Sequence, residues 1–258
     1  MMNNYEQFKE SIFKKTGINL SCYKEKQMKR RIDSLIKRNN FDTYEGYFQA
    51  ICKDLDLYNE FINYLTINVS EFYRNSNQWE VLQKEILPNL IKKGSTLKIW
   101  SAACSTGEEP YSLVMMLSEL MPLQTIKILA TDIDKGAINK ALLGIYSPKS
   151  IENVPKHLIS KFFTKVGESY KINDEVKKCV EFKHHNLLND KYPERCDLIV
   201  CRNVMIYFTE EAKEDMYKKF YSSLNEQGVL FVGSTEQIIL PVRYNLVPLK
   251  TFFYKKNS

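Results

Sequence analysis

The chain has 258 residues, 44% hydrophobic and 26% charged, with a net charge of +6 at neutral pH. That balance excludes wholesale disorder and leaves room for one or two domains, and no apolar run approaches the roughly 18 residues of a membrane span. The start lacks a secretory pattern, the six cysteines form no Cys-x-x-Cys pair, and His157, His184 and His185 are too few for a metal centre or a Ser-His-Asp triad, so a cytoplasmic protein with reduced thiols and no metal is expected.

Residues 1–75 read as an all-helical domain of short amphipathic helices joined by polar turns. In one of them Met28, Ile32, Leu35 and Ile36 form a single apolar stripe. Across 24–38, seven Lys or Arg face only Glu25 and Asp33, a local charge of about +5 by direct count. Lys24, Arg31 and Arg38 recur every seven residues and share a face. That face is either solvated or a docking surface for an acidic partner. The segment ends in Asn68-Val-Ser-Glu-Phe-Tyr-Arg74, where an arginine fork stands beside two aromatics and can hold a carboxylate by two hydrogen bonds. A connecting helix is expected over 79–90, then a turn at Lys92-Lys93-Gly94-Ser95, the two making up a linker over 76–95.

From residue 96 to the C-terminus apolar strands alternate with helices, the signature of a parallel α/β sheet. Strands are expected at 97–103, 126–131, 180–183, 197–201 and 229–232, with one more strand or a hairpin in 246–255. Helices are expected at 110–121, 135–142 and 210–224. Residues 144–179 are too long for a simple connection and carry turn signals and short β-like pieces, so they read as an inserted β-subdomain.

Ligands of open α/β sheets bind beyond the carboxyl ends of the strands, so the residues following each strand carry the chemistry. After the first comes Ser101-Ala-Ala-Cys-Ser-Thr-Gly-Glu-Glu-Pro-Tyr-Ser112. Thr106-x-x-Glu109 has the form of a capping box with Pro110 in the first turn and a tight turn at Gly107. It is neither a Gly-x-Gly-x-x-Gly nor a P-loop, and Glu108 and Glu109 would repel a pyrophosphate. They either cap the helix or suit a cationic ligand such as S-adenosylmethionine. After the second strand, Asp132 stands where a ribose diol is held, while Asp134 has the look of a helix cap. After the third, Asn186 could read an adenine edge and Leu187 cover its face; His184 and His185 read as packing or surface residues. After the fourth, in Cys201-Arg-Asn-Val-Met-Ile-Tyr-Phe208, Tyr207 could pack against a sulfonium or aim a substrate carboxylate. Cys201 reads as a buried thiol rather than a nucleophile, since no histidine is paired with it.

The run from Trp100 to Ser112 resembles the cofactor loop of the chemotaxis receptor methyltransferases, the CheR family. So do Asn68 to Arg74, Ala130 to Asp134, Cys201 to Phe208 and Gly233-Ser-Thr-Glu236, in the same order over nearly the whole chain. The resemblance implies an all-α N-terminal domain followed by a Rossmann-like methyltransferase domain over 96–258 with an inserted β-subdomain. It implies methyl transfer from S-adenosylmethionine to glutamate carboxylates of chemoreceptors, leaving S-adenosylhomocysteine. Asn68, Ser70 and Arg74 would cover the methionine end of the cofactor. Glu109 would bind it from the first loop, Asp132 would hold the ribose, Asn186 and Leu187 would line the adenine site, and Cys201 and Arg202 would touch the cofactor through the fourth loop. Arg74 and Tyr207 would sit at the reacting groups. Lys24, Arg31 and Arg38 would dock on receptor helices, and in some members the β-subdomain also grips a receptor tether. A monomer recruited from the cytoplasm to membrane-bound receptor arrays is expected, with no nucleic acid. Two other readings stay open: a methyltransferase of another protein or a small molecule, and a non-catalytic regulator that binds S-adenosylmethionine.

Overall fold

The computed structural model describes residues 4–91 and 97–257. The turn expected at 92–95 lies outside the described residues. The N-terminal part holds four helices, α1 (Tyr5–Thr16), α2 (Glu25–Arg38), α3 (Tyr44–Lys53) and α4 (Leu55–Thr66). The apolar stripe of α2 is buried as its spacing requires, at Met28, Ile32, Leu35 and Ile36. Asp54 starts α4 by accepting the backbone N–H groups of Asp56 and Leu57. The connecting segment begins earlier than expected. Helix α5 (Ser76–Val81) runs through a π-turn at Leu82–Ile86 into α6 (Leu87–Ile91).

Strands β1 (Ile99–Ala102) and β2 (Ile128–Asp132) are joined by helix α7 (Glu108–Leu117). Helix α8 (Lys135–Leu143) leads into the insertion, which comprises β3 (Ile145–Tyr146), α9 (Lys156–Phe162), β4 (Phe163–Val166), β5 (Ser169–Ile172) and α10 (Asp174–Lys177). Strands β3, β5 and β4 form an antiparallel sheet in that order. The main sheet resumes with β6 (Val180–His184), β7 (Cys196–Cys201), α11 (Glu210–Ser223), β8 (Leu224–Val232), β9 (Leu246–Lys250) and β10 (Phe253–Lys256). The tail is therefore a hairpin.

The seven-stranded order is β6-β2-β1-β7-β8-β10-β9, parallel from β6 to β8, with β10 antiparallel to both neighbours. This is a Rossmann-like sheet, and its order reverses between β1 and β7. The loops leaving those two strands diverge to opposite faces and open a crevice there. The strands read as continuous apolar runs because both faces are covered. Trp100, Ala102, Ile199 and Leu230 pack into one core that is continuous with the N-terminal helices. Ile99, Leu198, Val200 and Phe231 pack into the other, with α5 to α7 and the insertion.

The turn from β1 into α7 depends on Gly107, whose φ is +94°. A Cβ there would lie 2.8 Å from Ala141 Cβ and 3.1 Å from both the Tyr111 ring and Tyr146 Oη. Gly107→Ala is therefore expected to lower stability by about 2–3 kcal/mol, read by urea unfolding, since strain and overpacking add. A loss under about 0.5 kcal/mol would show that the turn has slack.

Candidate active site

A cleft with about 950 Å³ of atom-free space lies beyond the carboxyl ends of β1, β2 and β7. The end of α4 and the segment 67–74 form its other wall. Asn68, Ser70, Arg74, Glu109, Asp132, Asn186, Leu187, Arg202 and Tyr207 all line it.

The first loop departs from the capping box. Helix α7 starts at Glu108 with Gly107 as its N-terminal neighbour and no side-chain cap. Thr106 Oγ1 donates instead to Glu108 Oε2 at 2.7 Å. Glu108 is buried and does not reach the cleft; only Glu109 does. Ser101 Oγ donates to Glu109 Oε1 at 2.8 Å, and Arg202 Nη1 stands 3.8 Å from its Oε2. Burial outweighs both partners and pushes the Glu109 carboxyl up to about 7.

Asp132 accepts one backbone N–H on each oxygen, from Ser105 at 2.8 Å and from Asp134 at 2.9 Å. Burial nonetheless raises its carboxyl to about 6. Each oxygen keeps a lone pair for a further donor. Asp134 is the cap of α8, accepting from Gly136 and Ala137.

Some implied contacts are corrected. Asn68 faces the cleft, but Asp134 Oδ2 takes its Nδ2 at 2.6 Å and Ser105 Oγ donates to its Oδ1 at 3.0 Å. It ties α4 to the first loop. Asn186 lines the cleft, with its Nδ2 donating to Gly17 O and its Oδ1 accepting from Leu188 N. The Cys201 side chain lies wholly inside the core and does not line the cleft, because alternation along β7 turns it to the helix-covered face. Arg31 and Arg38 are turned onto α4. Arg31 Nη2 donates to Tyr64 O at 2.6 Å and its guanidinium lies over the Tyr64 ring; Arg38 lies over the same ring and pairs with Glu60 at 2.6 Å. Lys24 and Arg38 are exposed and Arg31 is half-buried, so the three do not form one open basic face.

Arg202 is the buried hub. Its Nη2 donates to Arg74 O, Asn75 Oδ1 and Gln78 Oε1 at 2.7, 3.2 and 3.0 Å, and its guanidinium lies over the Trp79 and Phe231 rings. Through it the fourth loop holds the Arg74 backbone in place. Arg74 itself reaches the cleft, with Nη1 donating to Val69 O at 3.0 Å. Tyr207 is half-buried at the rim, and its segment is joined to the N-terminal helices. Lys24 N donates to Tyr207 O at 2.8 Å, Thr209 N donates to Cys22 O at 2.9 Å, and Tyr23 meets Phe208 edge-on.

Three contributors, Glu236, Asn203 and Tyr23, carried no sequence assignment. Glu236 accepts the backbone N–H groups of Gly233, Asn203, Met205 and Ile206 and so shapes the fourth loop. The Gly-Ser-Thr-Glu motif was visible, but not what its acid would grip. Asn203 and Tyr23 also line the cleft. Left-handed backbone clusters here too, at Ile67, Tyr73, Ala103, Ser105 and Asn203, as in other sites where strain is held by surrounding structure.

The donor set fits S-adenosylmethionine. A buried acid lacking a full counter-charge meets an ammonium, a second acid meets a diol, and Ile133 and Leu187 offer an apolar wall. Comparison with known proteins agrees. Residues 68–253 match the family described as CheR methyltransferase, SAM binding domain, and residues 3–66 match CheR methyltransferase, all-alpha domain. A chemotaxis protein methyltransferase of Listeria innocua is 43% identical over 254 residues, covering 98% of this chain and 97% of that protein. Proteins of the same name are 37% identical in Borreliella burgdorferi, over 95% of this chain and 91% of the relative, and chemotaxis protein methyltransferase 2 of Vibrio cholerae is 35% identical, over 90% and 84%.

Proposed function

The chain belongs to the CheR methyltransferase family and is an S-adenosylmethionine-dependent methyltransferase; from that premise we propose that its acceptors are glutamate carboxylates of chemoreceptors. The observation that carries the reading is the pairing, in one cleft, of two buried acids suited to the cofactor with Arg74, suited to an incoming carboxylate.

S-adenosylmethionine supplies an electrophilic methyl group on a positively charged sulfur. Glu109 holds the ammonium end and Asp132 the ribose. Arg74 presents the acceptor carboxylate and Tyr207 closes the rim beside it. An acceptor glutamate on an exposed receptor helix titrates at about 4.3 and is already ionised at neutral pH, so no general base is required. His185 lines the cleft, and burial holds its pKa below the ordinary imidazole value. One oxygen–carbon bond forms as one sulfur–carbon bond breaks, and opposite charges cancel along the way. A dry cleft favours that cancellation, and alignment supplies most of the acceleration.

The acceptor surface of this reading includes the open part of α2, where Lys26, Arg30 and Lys37 stand away from Tyr64. Among the described residues no helix is long and apolar enough to cross a membrane. A cytoplasmic enzyme recruited to receptor arrays is the corresponding proposal. The test is transfer of radiolabelled methyl to a receptor cytoplasmic fragment, scored as base-labile label. Base-labile counts in the receptor support the carboxyl ester; cofactor binding without receptor label points to another acceptor. Arg74→Ala is expected to cut kcat/KM for the receptor about 100-fold. Unchanged initial rates would remove Arg74 from the acceptor site.

A further inference from the structure

Asn203 lies on the β7 side of the cleft, directly after the Arg202 hub and four residues before Tyr207. Its side chain contributes to the cleft wall and, among the described residues, makes no hydrogen bond with the protein. The neighbouring polar side chains are differently placed: Asn68, Asn186, Glu109 and Arg202 are all engaged by protein groups.

The placement of that free carboxamide is enforced from below. Asn203 has φ +60°, a left-handed conformation that asparagine tolerates better than most residues. Its N–H donates to Glu236 Oε2 at 2.5 Å, and the same carboxylate holds Met205 N at 2.7 Å. Gly233 makes room for this grip and for the carboxamide, since any Cβ there would run into Glu236 Oε2 and lie 2.9 Å from Asn203 N and 3.1 Å from Asn203 Nδ2. A buried carboxylate and a side-chain-free position together fix a strained residue whose Nδ2 lies over Gly233 while the residue lines the cleft. Asn203 lines the same cleft as Arg74, Glu109 and Tyr207.

We propose that Asn203 binds the methyl acceptor, its Nδ2 donating to one oxygen of the incoming carboxylate so that the other oxygen faces the methyl carbon, with Glu236 as the residue that positions it. The inference rests on the carboxylate acceptor proposed above. It assigns a donor that complements Arg74: the arginine supplies charge, and the asparagine selects which oxygen attacks. No proton or electron is added to the reaction by this contact.

Two substitutions keep the left-handed backbone. Asn203→Gly removes the carboxamide, and Asn203→Asp replaces its donor with a carboxylate that repels the acceptor. Binding of S-adenosylhomocysteine, measured by calorimetry, is expected to stay within about twofold of wild type for the Gly variant, showing an intact cofactor site. Its receptor methylation kcat/KM is expected to fall roughly 10- to 100-fold, the scale of one hydrogen bond to a charged group. The Asp variant should fall below the Gly variant at both pH 6 and pH 8, because a carboxylate replaces the donor and repels the acceptor. Full receptor methylation by the Gly variant overturns the inference. So does a loss of S-adenosylhomocysteine affinity that accounts for the loss of rate, or an Asp variant equal to the Gly variant at both pH values. Absence of receptor label from the wild-type protein instead overturns the acceptor assignment, and this inference with it.

Discussion

Arg202→Met should destabilise the protein by about 3–5 kcal/mol and abolish measurable cofactor binding. The Arg202 side chain is 2% exposed. Removing it strands Glu109 as a buried acid and leaves the acceptors on Arg74, Asn75 and Gln78 without their donor. It also takes away the flat cation packed on Trp79 and Phe231. Lysine should not rescue, because one ammonium cannot reproduce a fork that meets three acceptors and two rings. Urea unfolding reads the stability, and S-adenosylhomocysteine titration reads the site. A double variant with Glu109→Gln should recover none of the binding, since the ligand contact is not restored. A midpoint within measurement error of wild type for Arg202→Met would show that the buried hub carries no net energy.

Glu109→Gln should weaken cofactor binding roughly 10- to 100-fold, the range for one contact to a charged group, and should flatten its pH dependence near 7. The Glu109 carboxyl titrates at about 7 in the folded protein against 4.5 for the ordinary side chain. A cofactor ammonium pairs with the ionised form, so wild-type affinity should rise as pH climbs through 7 and level off above it. The stability of the ligand-free protein should move the other way. Between pH 4.5 and 7 the folded protein holds a proton that the unfolded chain has released, so the stabilising effect of Glu109 is complete below 4.5 and lost as pH rises through 7. Asp132 adds the same sign of slope between 3.8 and about 6. The Gln variant should keep only the Asp132 component in both measurements. An unchanged pH profile for S-adenosylhomocysteine binding would take Glu109 out of the cofactor site.

The tension between the two pH trends has a physical origin. Glu109 sits in a folded protein that disfavours its charge, and a cationic ligand relieves that cost. A site with this property trades stability for ligand affinity, as active sites often do.

Much of this molecule is legible in its residues. Chain-order alternation of apolar runs with amphipathic segments marks the Rossmann-like sheet, and the strands fall within two or three residues of expectation except β8, which begins five residues earlier, at Leu224. Strand and helix periodicity are local properties, so no tertiary information is needed to see them. The ring of motifs at strand ends likewise marks Glu109, Asp132 and Tyr207 as cleft residues, because a parallel sheet sends every such loop to the same edge.

What the tertiary structure alone decided is which polar groups remain available once the protein has used its own. Asn68 and Asn186 line the cleft, and the sequence does not show that Asp134, Ser105, Gly17 and Leu188 also hydrogen-bond to them. Arg31 and Arg38 stand over Tyr64, with Arg38 exposed and paired to Glu60, which their seven-residue spacing does not show. Glu236 and Asn203 attracted no role, yet one shapes the fourth loop and the other keeps its amide open. Apart from Leu188, two residues from Asn186, these contacts join residues tens to more than a hundred positions apart. A buried hydrogen-bonding group takes whichever partner the packed chain brings within about 3 Å, and a linear pattern does not contain that distance.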